Sequence, residues 1–516
     1  MHLVANNHFE CMRRAAQLSG ALRTARRVLI NRQDEARVRA LVRSVARAPV
    51  GDDVLPSLLC ADVRRTYTEL QPAGRVGFLA VLATHFDVDG DAVARASAAL
   101  AGVDAADDAA RLGAQATLRA ALAPTYEALF DRLAQEDDGL RFLVGLRADL
   151  LGALDGGGGG VPATAEAASA LVSAGERPRL LALDGSLRRQ LSRWFDTGLL
   201  SLQRLDWHAT PAALLGRLIE LERVHTFGGW GDLRARLAAP RRQIFAFTHP
   251  CMEGEPLVFV QVALADAVPR ALRDVLAPPP PGPGAPPPPA APPEPEAAAA
   301  DADGAPPPTV ACFYSISSPF VGLRGVPLGR LLIKQVAAAL SRQSPELRTF
   351  VTLSPVPGFG PWLRGRLAAA DVPSPAANGV ALDVAMGELR TAMAAAAVDD
   401  DALWSAPPPA AATDALLRLC ALYLCTVKRG GCGGGGGRPA DPVAAFHLRN
   451  GATLLALRPV ANPSERGLRE SAGLMVNYSY ELGAVDTNHS RHVATGDVIA
   501  SEEVVGLCGG APASKL

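Results

Sequence analysis

Two polar side chains stand where a hydroxyl and an imidazole could bind an anion or move a proton. Ser354 follows Thr349–Leu353, a short run of β-branched and aromatic residues, and precedes Pro355-Val356-Pro357-Gly358. A strand that feeds a proline-rich turn holds the next hydroxyl in a fixed direction. His447 lies in Phe446-His447-Leu448, at the start of a stretch with strand character that runs to Leu457. Imidazole titrates near neutrality, which suits proton delivery. Taken singly, each has a plainer reading: a Ser-Pro turn residue and a half-buried structural histidine.

A third segment could hold a phosphate group. From Cys312 to Arg330 an expected strand, Val310–Ser317, runs into a loop carrying Gly322, Gly325 and Gly329, and then into an expected helix, Leu328–Ser341. A helix N-terminus presents free N–H groups and the positive end of its dipole, which suit a pyrophosphate. Glycines let backbone approach an anion closely. The segment is neither a Walker loop nor a G-x-G-x-x-G fingerprint. Tyr478 and Tyr480 lie two apart on a further expected strand and so share one face.

Other candidates read as structure. His249 and Cys251 stand too close in sequence for a catalytic pair and fit the turn of a hairpin between Gln243–Thr248 and Leu257–Leu264. His489 and His492 have no companion ligands at metal spacing and read as surface histidines. The eight cysteines include no C-x-x-C pair, and Cys420 and Cys425 fall in an apolar helical pattern. A disulfide framework is not implied.

Residues 1 to about 190 read almost wholly as helix, through Arg37–Ala48, Ala92–Ala101, Arg111–Leu122, Tyr126–Leu133, Leu140–Leu154, Ala165–Ala174 and Leu187–Phe195. After about residue 200 short strands alternate with helices, including Thr349–Leu353, Pro361–Ala370 and Leu416–Leu424. The expected fold class is therefore multidomain: an all-α helical bundle over 1–192 and an α/β (α+β) domain over 193–516. Two low-complexity inserts, 278–308 and 430–437, interrupt the second domain and cannot bury enough surface to fold.

With 49% hydrophobic residues, the 516-residue chain can build sizeable cores. Lys+Arg (51) and Asp+Glu (52) nearly cancel, which argues against a general nucleic-acid binder. No apolar run reaches the roughly 18 residues of a membrane span. The chain ends Ser514-Lys515-Leu516, the tripeptide that a peroxisomal import receptor reads. Arg13, Arg14, Arg23, Arg26, Arg27 and Arg32, with no acid among them, resemble an organellar presequence. Peroxisome is the expected location, with mitochondrion or cytosol as a second destination.

The blocks Phe313–Ser317, Gly322–Val326, Leu353–Phe359, Phe446–Gly451 and Gly473–Tyr480 together resemble the malonyl-CoA decarboxylase family. Upstream, Leu140–Leu151, Trp194–Gly198 and Gly254–Leu257 also match, so the likeness covers roughly residues 60 to 500. The resemblance implies an oligomerising helical domain, a tetramer, and a catalytic domain of the GNAT acyltransferase fold. It implies that Arg324, Gly325, Val326, Pro327, Leu328, Gly329 and Arg330 hold the CoA pyrophosphate. It further implies that Ser354 and His447 are catalytic and that Ser315 and Tyr480 line the malonyl site. Where the family carries a glutamate in the CoA loop, this chain has Pro327. Conversion of malonyl-CoA to acetyl-CoA and CO2 leaves an enolate, and a thioester is already an electron sink, so no cofactor is expected. Two alternatives stay open: a CoA-dependent GNAT-type acyltransferase, and a non-catalytic acyl-CoA-binding protein.

Overall fold

A computed structural model of the chain describes residues 32–47, 54–104, 106–155, 172–195, 198–239, 241–276, 307–368, 379–399, 401–429 and 437–509. Most of the expected inserts at 278–308 and 430–437, the Arg-rich start before residue 32, the first part of Ala165–Ala174, and Ser514-Lys515-Leu516 lie outside the described residues. The chain divides into two compact units. One comprises the chain up to Ser201 with His249–Glu253 and Phe320–Pro327; the other comprises Leu202–Thr248, Gly254–Pro319 and Leu328 onward.

The first unit is helical: α1 (Arg32–Arg47), α2 (Val54–Glu69), α3 (Pro72–His85), α4 (Gly90–Ala101), α5 (Asp108–Ala121), α6 (Thr125–Gln135), α7 (Gly139–Asp155) and α8 (Arg177–Phe195). Helix α7 buries Leu140, Leu143, Val144, Leu150, Leu151 and Leu154, and α8 buries Leu180, Leu183, Leu187 and Leu191. Those spacings of three and four place each apolar set on one face. Asp89 and Asp107 cap α4 and α5, accepting hydrogen bonds from first-turn N–H groups. Arg147 is buried, and its guanidinium donates to Asp184 at 2.7 Å and to the Gly322 carbonyl at 2.6 Å.

The second unit is built on one eight-stranded sheet in the order β1-β2-β3-β4-β5-β10-β6, with β9 pairing β10. The strands are β1 (Ser201–Leu205), β2 (Arg242–Thr248), β3 (Val258–Ala265), β4 (Val310–Ser317), β5 (Thr349–Thr352), β6 (Ser354–Pro355), β9 (Thr453–Arg458) and β10 (Met475–Ser479). Two short strands, β7 (Lys428–Arg429) and β8 (Arg438–Pro439), pair apart from it. Strand β4 runs parallel to β5, while β2–β3, β3–β4 and β5–β10 are antiparallel. Strand β3 is buried along nearly its whole length, which is why it reads as a near-continuous apolar run.

Helices α9 (Ala212–Leu221) and α10 (Trp230–Ala238) bury Leu214, Leu215, Leu218, Leu233 and Leu237 in one core cluster with Ile244, Ala246 and Phe259. Helix α11 (Leu328–Gln343) links β4 to β5. Beyond β6 come α12 (Phe359–Ala368), α13 (Gly379–Ala395), α14 (Ala402–Ser405), α15 (Ala410–Thr426) and α16 (Pro442–Arg449), then α17 (Glu465–Ser471), α18 (Val485–Thr495) and α19 (Glu502–Leu507). Among the described residues, no helix is long and apolar enough to cross a membrane.

The strand expected from Phe446 to Leu457 is corrected. Phe446, His447 and Leu448 belong to helix α16, and β9 begins only at Thr453. The cause is local: Asp441 caps the helix by accepting from Val443 N and Ala444 N, and Pro442 occupies its first turn. A proline there forfeits an N–H that the helix would leave unpaired anyway.

Candidate active site

Strand ends β5, β6 and β10 and helix α16 bring Ser354, His447, Thr352, Tyr478 and Tyr480 together. Ser354 opens β6, where it pairs with Val476 of β10. Its hydroxyl lies 3.0 Å from His447 Nε2 and donates to Thr352 Oγ1 at 2.9 Å. On the other side of the ring, His447 Nδ1 lies 2.8 Å from the Tyr480 hydroxyl. With Ser354 donating to Thr352, one consistent assignment has Nε2–H donating to Ser354 and the Tyr480 O–H donating to Nδ1. Tyr478 stacks on the imidazole, with ring centroids 4.4 Å apart and planes inclined by 23°. Tyr478 and Tyr480 therefore both meet His447, one through its ring face and one through its hydroxyl.

Asp441 ties this arrangement together. Besides capping α16, its carboxylate accepts from Gly358 N at 2.9 Å. One side chain thus fixes both the helix that carries His447 and the turn that follows Ser354. The sequence reading did not single out Asp441. The pair Asp441-Pro442 was the available signal, since an N-cap followed by proline marks a helix start.

Ser354 and His447 border a cavity of about 200 Å³ lined by Val224, Phe313, Tyr314, Ile316, Ser318, Pro355, Pro442, Val443 and Phe446. The wall is mostly apolar and carries no cationic side chain. Burial pushes His447 down from the ordinary histidine range to about 3. The imidazole is therefore neutral at neutral pH, and the expectation that it titrates there is corrected. Burial raises Tyr480 and Tyr478 well above the usual phenol range, so both hydroxyls keep their protons.

The other expected site residues sit elsewhere. Ser315 is buried, and its hydroxyl donates to Glu222 Oε2 at 2.8 Å, while its neighbours Tyr314 and Ile316 line the cavity. Arg324, Gly325, Val326 and Pro327 belong to the helical unit. There Arg324 pairs with Asp155 at 2.5 Å, and Gly325 adopts φ +84°, a left-handed conformation that favours glycine. Leu328, Gly329 and Arg330 open α11 in the second unit. A Cβ at Gly329 would stand 2.7 Å from the Phe446 ring, so only glycine lets α16 approach this turn. Arg330 lies 3.9 Å from Asp486, which Lys334 also holds at 2.6 Å. Lys334 was not singled out, although it stands one helical turn beyond Arg330 on the same face.

The histidines read as structural hold structural positions. His249 Nδ1 accepts from Cys251 N, and His492 Nδ1 lies 2.7 Å from the Asp497 carbonyl. His492 is buried rather than on the surface. Cys420 and Cys425 are buried in α15. No cluster of potential metal ligands occurs among the described residues.

Comparison with known proteins agrees with these blocks. The model of the malonyl-CoA decarboxylase C-terminal domain matches residues 198–515, and that of the N-terminal domain matches 86–195. Mitochondrial malonyl-CoA decarboxylase of Mus musculus is 35% identical over 461 residues, covering 87% of this chain and 85% of the relative. The mitochondrial enzyme of Anser anser anser is 31% identical over 455 residues, 86% of this chain and 82% of its own. The crystal structure of malonyl-CoA decarboxylase from Rhodopseudomonas palustris superposes with a TM-score of 0.67 at 31% identity, over 91% of this chain and 98% of that one. Both family domains, in order, and relatives matched over most of their length leave one assignment: the chain belongs to the malonyl-CoA decarboxylase family.

Proposed function

We propose that this chain converts malonyl-CoA to acetyl-CoA and CO2 at the cavity bordered by Ser354 and His447. The observation that carries the proposal is the 3.0 Å contact between Ser354 and a neutral, buried His447 beside an apolar wall, in a member of this family. A carboxylate seated there gives up water and gains no cation, whereas the CO2 that leaves is neutral and apolar. Desolvation of that kind favours carbon–carbon cleavage over the resting carboxylate. Cleavage leaves an enolate, whose oxygen needs a donor and whose carbon needs a proton. Ser354 supplies the hydroxyl. His447 Nε2–H supplies the proton through Ser354, while the Tyr480 O–H keeps its proton and holds Nδ1 by donating to it. One proton is consumed per turnover and returns from solvent.

For the CoA moiety, the reading rests on the first turn of α11, where Leu328, Gly329 and Arg330 offer free N–H groups and a guanidinium. The acyltransferase-like reading of the second unit rests on the strand–loop–helix that joins the parallel strands β4 and β5. Purified protein incubated with malonyl-CoA should release acetyl-CoA and CO2 in equal amounts. Unchanged malonyl-CoA in the presence of folded protein would remove the decarboxylase reading.

For location, the reading rests on two candidate addresses, Ser514-Lys515-Leu516 for peroxisomes and the Arg-rich start for another organelle; the matched animal relatives are named as mitochondrial. A reporter ending in residues 509–516 is expected in peroxisomes and, without Leu516, in the cytosol. Residues 1–32 fused ahead of a reporter test the second address. A cytosolic C-terminal fusion removes the peroxisomal destination and leaves the enzymatic reading intact.

A further inference from the structure

We propose that Glu222 is a positioning residue for the decarboxylation, holding the cavity wall that faces Ser354 and His447. The proposal rests on the decarboxylase reading of that cavity. Glu222 follows α9 directly and is fully buried. Its Oε1 accepts from Val224 N at 2.7 Å, His225 N at 3.1 Å and Ser317 Oγ at 3.0 Å. Its Oε2 accepts from Gln261 Nε2 at 2.7 Å and Ser315 Oγ at 2.8 Å. A buried carboxylate that gathers five donors from a loop and two strands is an acceptor hub.

Those donors frame the cavity. Val224 lines it and is held through its own N–H. Ile316 lies between Ser315 and Ser317, and Ser318 follows them. Tyr314 is the residue left over where the β3–β4 register slips, with Gln261 opposite Ser315 and Val262 opposite Phe313. A bulge re-aims the side chain it carries. Here the Tyr314 hydroxyl donates to Gln261 Oε1 at 3.0 Å, and the same oxygen takes Arg236 Nη1 at 3.4 Å. Four wall residues, Val224, Tyr314, Ile316 and Ser318, are thus fixed through Glu222, directly or through one neighbour.

Glutamine at this position cannot do the same. Its amide N–H would face either two backbone N–H groups or the Gln261 amide. Turning Gln261 over would set its NH2 against Arg236. At least one buried bond must break, and the wall must shift. Sub-ångström to ångström shifts at a reacting centre cost roughly 10- to 100-fold in rate. Glu222→Gln is therefore expected to lower kcat for malonyl-CoA about tenfold, with acetyl-CoA Kd held within about twofold. The double variant E222Q/Q261E moves the carboxylate to the other end of the same hydrogen bond, and again gives Tyr314 and Arg236 an acceptor. It should recover most of the lost kcat, which a space-filling role for Glu222 would not explain.

Wild-type turnover in the same assay tests the decarboxylase reading separately. Against an active wild type, an unchanged kcat in E222Q overturns the role of Glu222. So does a double variant no better than the single one, or a loss of acetyl-CoA affinity as large as the loss of kcat. Should E222Q not fold, Ser317→Ala removes one donor only. A folded S317A is expected to lose about threefold in kcat at unchanged acetyl-CoA affinity, and wild-type kcat there overturns the proposal equally.

Discussion

Replacing His447 with asparagine is expected to lower kcat by about 10²-fold or more while leaving CoA affinity in place. The imidazole spans two hydrogen bonds, to Ser354 on one side and Tyr480 on the other. Asparagine is shorter and can keep one of them. The path that delivers a proton to carbon is then cut at its middle. Nothing in this contact set touches the first turn of α11 except the neighbouring Phe446 ring, which the substitution leaves in place. Single-turnover assays with malonyl-CoA and direct titration with acetyl-CoA separate the two effects. A folded variant with wild-type turnover would remove His447 from the mechanism.

The ionisation of His447 sharpens that test. Its folded value lies near 3, below the ordinary value of 6.5, so the neutral ring predominates everywhere above about pH 3 in the free enzyme. A mechanism that uses the neutral N–H therefore gives kcat/KM no histidine limb between pH 5 and 8. An imidazolium mechanism would make kcat/KM fall about tenfold per pH unit across the same range. The stability consequence has a definite sign. The unfolded chain binds a proton near 6.5 and the folded one does not until about 3. Stability tied to this residue is thus complete above pH 6.5 and declines as pH falls from there toward 3. His225, pushed by burial down to about 4, acts in the same direction.

The sequence carried Ser354 and His447 better than it carried their surroundings. Strand β4 was legible to the residue, because an apolar, aromatic run is closed at its far end by Ser318-Pro319. Ser354 was legible through its family block, whereas the strand and proline turn that flank it read alone as an ordinary turn. His447 was legible as a residue, through its block, but its helix was not: an apolar Phe-His-Leu run outweighed the Asp441-Pro442 start signal. Glu222 was not legible at all. A glutamate just past an amphipathic helix reads as solvent-facing, and its partners Gln261 and Ser315 lie 39 and 93 residues further along. Contacts at that separation are made by the sheet, and no local pattern encodes them. The glycines were legible as close-approach positions, and at Gly329 the Phe446 ring makes one such approach.

Ser354→Ala is expected to lower kcat by about 10²- to 10³-fold, the usual effect of removing one donor aimed at developing charge. In the proposed path the single Ser354 proton is aimed at the developing enolate and is replaced from His447 Nε2–H, so the alanine variant loses both that donor and its resupply. Neither role touches a group needed to hold CoA, and acetyl-CoA affinity should stay within about twofold. Malonyl-CoA affinity should fall more than acetyl-CoA affinity, because only the malonyl group brings a carboxylate to the hydroxyl. The variant also leaves His447 Nε2 without its partner in a buried site, and that is expected to destabilise the fold by about 1–3 kcal/mol. Denaturant unfolding measures this cost, and paired titrations with malonyl-CoA and acetyl-CoA measure the discrimination. Equal losses of affinity for both thioesters would assign Ser354 to CoA binding or packing. Unaltered kcat in the folded variant would leave the proton path without its central hydroxyl, and the route from His447 to carbon would have to be redrawn.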